Sequence, residues 1–552
     1  MCCATVRAVE GNVETLLREN AELRQENADL AHERAELAKR VDILHEQIAW
    51  FKQRFFSRSS EALSEKDKRQ LRLFDEAESS EPRAGQAENP QEVIRVAEHT
   101  RVRAKRRPLP EALPRDEVVI DILEEQKHCL CGAELVRIGE ETSEKLDVIP
   151  PQLRVIRTIR PKYACHSCEG SGDEERPAVR IAPMPPAVID KGIASAGLLA
   201  YIVTSKFCDS LPLYRQEKQF QRIGVELSRR TMADWMIAAS QACAPLMKIL
   251  EGRLRSGPLL QLDETTVQVM DEPGRANTTL SYMWVARGGT PQAQVIRYHY
   301  APGRGAEVAK EILGNYQGYL QTDGYEAYDR ACETAENVVH VGCWAHVRRK
   351  FFEAEKSSKK AGSAEMALSM IGKLYKAEGE RAVHKDPQEF AAARRGIVDP
   401  ILVDFRAWLE RRASQVPPET LLGKAVGYAL TQWPKLIRYL EHPALTPDTN
   451  SCENAIRPFV VGRKNWLFSG SPRGAAASAT LYSLIETAKA NGHEPYWYLR
   501  KLFEGLPAAR TEAELLSLAP LRSTETLQHP GGVRRTLTHN GPAGRETAHR
   551  GV

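Results

Sequence analysis

Three acidic residues stand in sequence contexts that suit one shared metal site. Asp263 lies in LLQLDETTV, Asp323 in YLQTDGYEAY and Glu453 in NSCENAIRPF. Each aspartate ends a short apolar run of high β-propensity, and the glutamate opens an arginine-rich segment with a helical pattern. Two Mg²⁺ ions held by carboxylate oxygens about 3.5–4 Å apart can activate water and stabilise a leaving oxygen at phosphorus. The three residues therefore predict metal-dependent phosphodiester chemistry.

The three carboxylates have different expected roles. We expect Asp263 to bridge the two ions, because it lies on the predicted central strand, and Asp323 and Glu453 to hold one ion each. Glu264 follows Asp263 on a strand and should face the other way, which makes it a weaker candidate. Asp448, five residues before Glu453, is an alternative third ligand. Any one of these residues alone is better explained as a solvated turn carboxylate, so the elements that carry them decide the case.

Residues 258–343 carry the first two acids. The segments LLQLDETTVQVM, TTLSYMWVA and QAQVIRYHY predict three strands, and GRGAEVAKEIL, GYLQTDG, EAYDRACE and NVVHVG predict helix, strand, helix and strand. This is the element order of a ribonuclease-H-like α/β domain. Asp263 is expected to close the first strand and Asp323 the strand after the first helix. On adjacent central strands they would meet at one end of the sheet, where open α/β sheets bind ligands.

The third acid lies far along the chain. Residues 344–446 are helical and highly charged, and we interpret them as an insertion into the core. Residues 447–510 return to the core with the helix of Glu453 and the apolar helix ATLYSLIETAKANG, which we expect to pack on the sheet. Residues 511–552 are polar and predict a disordered tail.

The N-terminal segment 10–56 has a leucine at every seventh position. Polar Asn20 and Asn27 each lie three positions before one of these leucines, at heptad position a. Asn at this position favours a dimer of fixed register. The segment predicts a coiled coil of the leucine-zipper type that mediates self-association, although one amphipathic helix packed on its own domain would show the same pattern. A basic and polar linker, 57–117, follows, with five positive charges in 101–107 that could contact phosphates or simply be solvated. The leucines are Leu16, Leu23, Leu30, Leu37 and Leu44.

Residues 118–182 predict a zinc-binding module of the zinc-ribbon type. Two cysteine pairs, in HCLCG and CHSCEG, are separated by strand-like runs, and four thiolates in such turns form a closed structural Zn²⁺ site. The first pair is tighter than usual, so His128 is an alternative to its first cysteine. The candidate ligands are Cys129, Cys131, Cys165 and Cys168.

Residues 190–252 are helical and resemble a helix-turn-helix. Gly224 marks a helix end, and Ser228 is a candidate N-cap for a helix that opens with Arg229 and Arg230. We expect these two arginines to contact DNA, although an ordinary helical hairpin with surface arginines is equally compatible.

Two further basic clusters are candidates for contacts with phosphate. His346, Arg348 and Arg349 follow Cys343 at a helix start; Cys343 and His346 have metal-ligand spacing, but without a second pair this spacing is weak evidence, and a core histidine is an equally good interpretation. After Glu453 the helix carries cations spaced to reach DNA, as a plain amphipathic surface helix also would. They are Arg457, Arg463 and Lys464.

Length and composition bound the class of protein. A chain of 552 residues is too long for one core, and about three to five domains are expected. The net charge of +4 is too small to indicate a nucleic-acid partner by itself. The chain has neither an apolar run of about 18 residues nor the apolar core of a signal peptide, so we expect no membrane contact and a cytoplasmic location.

Several long motifs in the same order resemble the IS66 family of bacterial insertion-sequence transposases. They are LQLDETTVQV, LQTDGYEAY, CWAHVRRKF, ENAIRPFVVGRKNWLFSGS and YSLIETAKANG, with CHSCEG and LPLYRQ in the N-terminal half. The resemblance implies that Asp263, Asp323 and Glu453 are the three acids of a DDE nuclease. It also implies zinc knuckles at the paired cysteines and a requirement for small accessory proteins of the same element. The chain departs from the family at its first knuckle, which is C-x-C.

The expected architecture is a multidomain α/β protein. It has a ribonuclease-H-like core with a helical insertion, preceded by a coiled coil, a zinc-ribbon-like module and a helix-turn-helix-like region. The expected function is a DDE transposase that cleaves and joins DNA at terminal inverted repeats, with two Mg²⁺ ions, for which Mn²⁺ can substitute, and a structural Zn²⁺. The alternatives are a non-catalytic DNA-binding regulator and a nuclease for DNA junctions or RNA–DNA hybrids.

Overall fold

The computed structural model describes two compact units, and each is treated separately below. The larger unit comprises residues 107–345, 375–397 and 432–552, and the smaller comprises 1–106, 346–374 and 398–431. The predicted zinc ligands, the linker 57–117 and the last part of the tail lie outside the described residues. The described ranges are 20–34 with single positions up to 48, 153–164, 179–357, 362–384 and 386–521.

A short antiparallel hairpin opens the described part of the larger unit. Strand β1 (Lys162–Ala164) pairs with β2 (Val179–Ile181), and Tyr163 lies opposite Arg180. The second predicted cysteine pair lies between these strands in the sequence, outside the described residues. The predicted strand-like run 153–164 forms a strand only at its end, in β1, and β2 was not predicted from the sequence. The other predicted run, 145–150, lies outside the described residues.

Four helices precede the main sheet. The first half of the predicted helix-turn-helix is two helices rather than one, since the chain turns at Ser210 (φ 56°) and Pro212. The second half begins as predicted, because the Ser228 hydroxyl accepts a hydrogen bond from the Thr231 amide at 3.1 Å. Gly224 (φ 82°) follows the preceding helix as its predicted terminator. The helices are α1 (Ala196–Phe207), α2 (Leu213–Arg222), α3 (Arg229–Ala242) and α4 (Ala244–Leu254).

A mixed sheet forms the centre of the larger unit. Its strands lie in the order β5-β4-β3-β6-β7, and β8 pairs with the far end of β3. The first three strands are antiparallel, whereas β3, β6 and β7 are mutually parallel. The predicted element order is confirmed. The elements are β3 (Leu259–Val269), β4 (Leu280–Thr290), β5 (Ala293–Ala301), α5 (Ala306–Leu313), β6 (Gly318–Gln321), α6 (Glu326–Glu333), β7 (Val338–Val341) and β8 (Phe468–Ser469).

One expectation about this sheet was wrong. Asp263 does not close strand β3 but lies inside it, because the β-branched Thr265, Thr266 and Val267 extend the antiparallel pairing with β4 as far as Gln268. What ends near Asp263 is the parallel pairing with β6, whose last pair is Gln261 with Gln321.

The helices that follow the predicted insertion cover the edge strand β5. Ser483 and Thr487 accept hydrogen bonds from the amides of Tyr298 and Ile296 at 2.7 and 3.0 Å, so they satisfy donors that an edge strand would otherwise expose. The helices of this region are α11 (Asn450–Trp466), α12 (Pro472–Ala490), α13 (Pro495–Gly505) and α14 (Glu512–Ser517).

Helix α14 corrects the prediction of a disordered tail from residue 511. A capping box joins Thr511 and Glu514, and Leu515 and Leu518 pack against the hydrophobic core. The helix has six residues and lies in a polar region of the sequence, so its apolar pattern is too short to predict it. Residues 522–552 lie outside the described part of the chain.

The predicted insertion is mainly helical in its described residues, with turns between the helices. In the smaller unit, Phe351, Phe405 and Trp408 form an aromatic cluster with ring centroids 6.0–6.4 Å apart. In the larger unit, buried Arg394 donates to the carbonyl oxygens of Tyr439 and Leu445. The helices are α7 (Trp344–Ser357), α8 (Ser363–Ala377), α9 (Pro387–Ala413) and α10 (Leu421–Leu436), with 3-10 turns at Glu378–Ala382 and Ile437–Leu440.

The described N-terminal residues are helical, and the leucines of the heptad series are exposed. Leu23, Leu30, Leu37 and Leu44 each expose more than half of their surface. Within the described residues, no helix is long and apolar enough to cross a bilayer.

Candidate active site

Asp263 lies in β3 and Asp323 lies two residues after the end of β6, so each stands two residues beyond the last parallel pair of these strands. The β3–β6 register pairs residue 259 with 319 and 261 with 321, so two further residues along each chain lead to Asp263 and Asp323. Asp323 is held locally, because its Oδ1 accepts a hydrogen bond from the Tyr325 amide at 3.0 Å. Asp263 Oδ1 accepts from the Glu264 amide at 2.9 Å. The fold thus brings two sequence-distant carboxylates to the point where the parallel pairing of β3 and β6 ends.

Glu453 reaches the same region from the first turn of α11. The loop before this helix is fixed to the end of β7: the Trp344 amide donates to Pro447 O at 2.8 Å, and the Thr449 amide and hydroxyl lie 3.4 and 3.3 Å from Cys343 Sγ. Cys343 Sγ lies within 4.8 Å of a Glu453 carboxylate oxygen. Glu453 is half-buried and lies in the first turn of the helix.

Two buried glutamines link the segments that carry the three acids. Gln261 Nε2 donates to Gln321 Oε1 at 2.9 Å across the parallel strands, and Gln321 Nε2 donates to Thr446 O at 2.7 Å. Gln261 also donates to Asp448 O at 3.3 Å. Both glutamines therefore connect the strands of the aspartates to the loop that precedes Glu453. Sequence analysis missed them, although a Gln stands two residues before each Asp in LQLD and LQTD.

The charges of the three acids act on one another. Burial, followed by the negative charges of Glu264, Glu453 and Asp323, raises the pKa of Asp263 to about 7. A bound cation would favour ionisation of this buried carboxyl group and would offset the negative charges around it. Carboxylate oxygens are the donors that Mg²⁺ and Mn²⁺ prefer. The residues present therefore fit a divalent cation.

Glu264 has different partners, as strand alternation predicts. Its side chain is 3% exposed, and its oxygens accept hydrogen bonds from the Arg304 guanidinium and the Tyr328 hydroxyl. Burial raises its pKa, against the opposing effects of Tyr328 and Arg304. The alternative third ligand Asp448 binds the amide and side chain of Asn450, at 3.1 and 2.7 Å, and so shapes the start of α11.

A buried polar chain lies beneath Asp323. Thr322 Oγ1 lies 2.8 Å from His340 Nε2, and His340 Nδ1 lies 2.9 Å from Asp329. Lys435 completes the chain with a 2.6 Å ion pair to Asp329. The hydrogen bond from His340, aided by Lys435, lowers the pKa of Asp329 to about 2. Because Thr322 and His340 are buried, this series of hydrogen bonds supports the backbone of Asp323. It does not form an accessible reactive group.

The predicted DNA-contacting residues fall into separate places. Arg229 and Arg230 are exposed at the start of α3, and Arg457 and Lys464 are exposed on α11. Arg463 differs, because its guanidinium donates to Thr265 Oγ1 and Thr266 Oγ1 at 3.1 Å and so fastens α11 to strand β3. In the smaller unit, Arg348 and Arg349 are exposed on α7, and His346 is half-buried.

Four family models match consecutive parts of this chain. The model described as "Transposase IS66 family" matches residues 191–477, and "zinc-finger binding domain of transposase IS66" matches 126–169. "Transposase C of IS166 homeodomain" matches 43–118, and "IS66 C-terminal element" matches 483–521. The zinc-finger match covers both predicted cysteine pairs and supports a structural Zn²⁺ in that region.

Relatives of similar length occur in Sinorhizobium fredii (strain NBRC 101917 / NGR234). "Uncharacterized protein y4qI" is 36% identical over 414 residues, which are 72% of this chain and 75% of the relative. "Uncharacterized protein y4jD" is 33% identical over 484 residues, 85% of this chain and 92% of the relative. "Uncharacterized protein y4hP" is 30% identical over 427 residues, 73% and 74% of the two chains.

Proposed function

Because this chain belongs to the IS66 family of transposases, we propose that it catalyses Mg²⁺-dependent strand cleavage and strand transfer at the terminal inverted repeats of an insertion sequence. The observation that carries the proposal is the convergence of Asp263, Asp323 and Glu453. Burial and the negative charge of Glu264, with smaller contributions from Glu453 and Asp323, raise the pKa of Asp263 to about 7.

The strand order supports a ribonuclease-H-like core for this reaction. Three antiparallel strands come first, and two parallel strands then join the first of them, so the sheet has the order 3-2-1-4-5 when strands are counted from β3. In that arrangement the acids of two adjacent parallel strands meet at one end of the sheet, and the helix of Glu453 supplies the third. The core is formed by 258–343 and 447–510, and 344–446 is its insertion.

Asp263, Asp323 and Glu453 would hold the divalent ions, Mg²⁺ or in its place Mn²⁺. When bound, such a pair supplies an activated water and charge stabilisation at the leaving oxygen. The chain itself fixes the geometry: Gln261 and Gln321 lock the two strands together, and the loop 446–449 sets the start of α11. The same carboxylates serve hydrolysis at the element's end and attack of the freed 3′-OH on target DNA, since both are in-line displacements at phosphorus.

The remaining parts supply DNA binding and assembly. The zinc module held by Cys129, Cys131, Cys165 and Cys168, with the exposed Arg229 and Arg230 of α3, would bind the terminal repeats. Arg457 and Lys464 share the exposed side of α11 with Val461, spaced at four and three residues, and this side would follow the DNA backbone away from Glu453. His346, Arg348 and Arg349 would contribute phosphate contacts from α7.

Self-association through 10–56 would pair two protomers on the two ends of the element. The proposed function also implies action on DNA in the bacterial cytoplasm, with small accessory proteins of the same element as partners. The basic linker 57–117 joins the coiled coil to the zinc module of 118–182.

The test is a product analysis with the full chain. Duplexes carrying the repeats found in DNA on both sides of the gene are incubated with target plasmid and Mg²⁺, with EDTA as control. The proposal predicts cleaved ends and ends joined to the plasmid. Cleavage without joining, together with cleavage of branched DNA or RNA–DNA hybrids, would instead identify a structure-specific nuclease, and binding without cleavage a regulator.

A further inference from the structure

Arg304 lies beside the acidic site in an arrangement that the three acids do not require. Its Nε donates to the buried carboxylate of Glu264, and its guanidinium carbon lies 3.9 Å from the ring centroid of Tyr325. The Tyr325 amide in turn holds Asp323 at 3.0 Å, and the Tyr325 hydroxyl donates to Arg304 O at 3.1 Å. The guanidinium plane is therefore fixed against the loop that carries Asp323.

The rest of this guanidinium is available. Within the described residues, no hydrogen bond joins either terminal amino group of Arg304 to the protein. The Arg304 side chain is 38% exposed, whereas that of its partner Glu264 is 3% exposed. An arginine that is anchored at Nε and stacked on an aromatic ring keeps a planar pair of donors, which matches two oxygens of a phosphate.

A cation at this position would also reduce the repulsion between the site carboxylates and the phosphates of DNA. DNA must approach Asp263 and Asp323 with its own negative phosphates, and unpaired carboxylates repel them. Divalent ions reduce this repulsion at the reacting phosphate but not at its neighbours. A fixed guanidinium beside the acids would attract one neighbouring phosphate and set the position of the strand.

We propose that Arg304 binds the non-bridging oxygens of a backbone phosphate adjacent to the scissile bond, and that Glu264 and Tyr325 hold it in place for this purpose. The inference deepens the proposed function and rests on it. Arg304 is then a substrate-binding residue of the nuclease site, and Glu264 is a positioning residue rather than a metal ligand.

A second ion pair in the same unit shows what a purely structural arginine looks like here. Arg275 pairs with Glu272 at 3.0 Å, and the glutamate side chain is 4% exposed. The terminal nitrogens of Arg275 donate to Ser281 Oγ, Pro302 O and Leu280 O, so protein groups use both of them. Arg275 and Arg304 thus each pair with a buried glutamate. They differ in whether N–H donors remain for a ligand.

The test is phosphate interference with the full chain. The probe is a duplex of the element's terminal repeat, in which each phosphate within three nucleotides of the cut is replaced in turn by a neutral methylphosphonate. In the wild type, replacement of the contacted phosphate should slow single-turnover cleavage roughly 10- to 100-fold. The double variant Arg304→Gln/Glu264→Gln, which leaves no unpaired buried charge, should cleave slowly on every probe and show no additional loss at that position.

Control variants separate this contact from a structural effect. Arg275→Gln/Glu272→Gln removes the matched structural pair and should retain the wild-type interference profile. Arg304→Lys keeps the charge without the fork and should show a smaller loss at the contacted position than the wild type. If the double variant Arg304→Gln/Glu264→Gln does not fold, the interference profile of Arg304→Lys tests the phosphate contact instead.

An interference profile identical to wild type in the Arg304 variants would overturn the inference. Asp263→Asn, measured in parallel, keeps the two proposals distinguishable. If Asp263→Asn cleaves at the wild-type rate, the proposed function fails. If it is inactive while the Arg304 variants keep the wild-type profile, only the role of Arg304 fails.

Discussion

Gln261 and Gln321 face each other across two parallel strands and share a 2.9 Å hydrogen bond. Both side chains are fully buried, and each stands two residues before a site aspartate. Their remaining amide groups bind the loop that leads into the helix of Glu453. One side-chain pair therefore couples the level of Asp263 and Asp323 to the position of the third acid.

Gln321→Met tests this coupling, because it keeps the side-chain size and removes the donor and the acceptor. Thr446 O and the Gln261 amide would lose a buried partner, and the free energy of unfolding should fall by about 2–3 kcal/mol in urea titration. DNA cleavage should fall well beyond this effect. Leu246→Ala, a core truncation in α4, provides a control with a similar loss of stability. Equal cleavage by the two variants at a temperature where both are folded would exclude the positioning role.

The pKa of Asp263 predicts a pH-dependent difference in stability. Its folded-state pKa of about 7 exceeds the ordinary value of 3.8, so between these values the folded state binds more protons than the unfolded state. The free energy of unfolding contributed by this group therefore falls as pH rises through that window. In EDTA, Asp263→Asn should gain stability relative to wild type from pH 4 to pH 7, by a few kcal/mol at most. A difference that stays flat with pH would contradict the electrostatic description.

Much of the core could be predicted because its signals are local. The alternation in β3 to β5, the turn residues between elements and the caps at Gly224 and Ser228 lie in short windows of sequence. The two aspartates could be assigned to adjacent strands because only a few topologies join strands in that order.

The rest depends on contacts between distant segments. Arg463 has the spacing of a DNA-contacting residue, yet it bonds to Thr265 and Thr266, almost 200 positions earlier in the chain. Asp263 lies inside its strand because β4 continues the pairing after β6 has ended. The proposed phosphate contact of Arg304 depends on which of its N–H donors Glu264 occupies. None of these relationships has a periodic signature in the sequence.

The zinc module makes a prediction about metal content. The purified chain should carry one zinc per molecule by elemental analysis, and Cys165→Ser/Cys168→Ser should lose it, because two thiolate ligands are removed. Cys332→Ser, a single cysteine of helix α6, should retain it. A comparison of His128→Ala with Cys129→Ser identifies which residue completes the first pair. Full zinc content in the Cys165/Cys168 variant would refute the assigned ligands.

The exposed heptad leucines predict self-association. Leu23→Arg/Leu30→Arg places charges in the apolar seam of a coiled coil, so sedimentation should show a shift to monomer. Gln25→Arg/His32→Arg adds the same charges to the outward face of this helix and should leave the assembly intact. If the leucine variant sediments like the wild type, the dimer forms elsewhere or not at all.

The central claim is that Asp263, Asp323 and Glu453 form one metal-dependent nuclease site. It is tested most directly by single-turnover cleavage of terminal-repeat DNA in Mg²⁺, with Asp263→Asn, Asp323→Asn and Glu453→Gln beside Asp271→Asn, an exposed turn residue, as control. We predict that each of the three substitutions slows cleavage roughly a thousandfold or more while the chain still binds the repeat, and that Asp271→Asn cleaves normally. Cleavage by any of the three at the wild-type rate would contradict the assignment of that residue, and cleavage by all three would contradict the site.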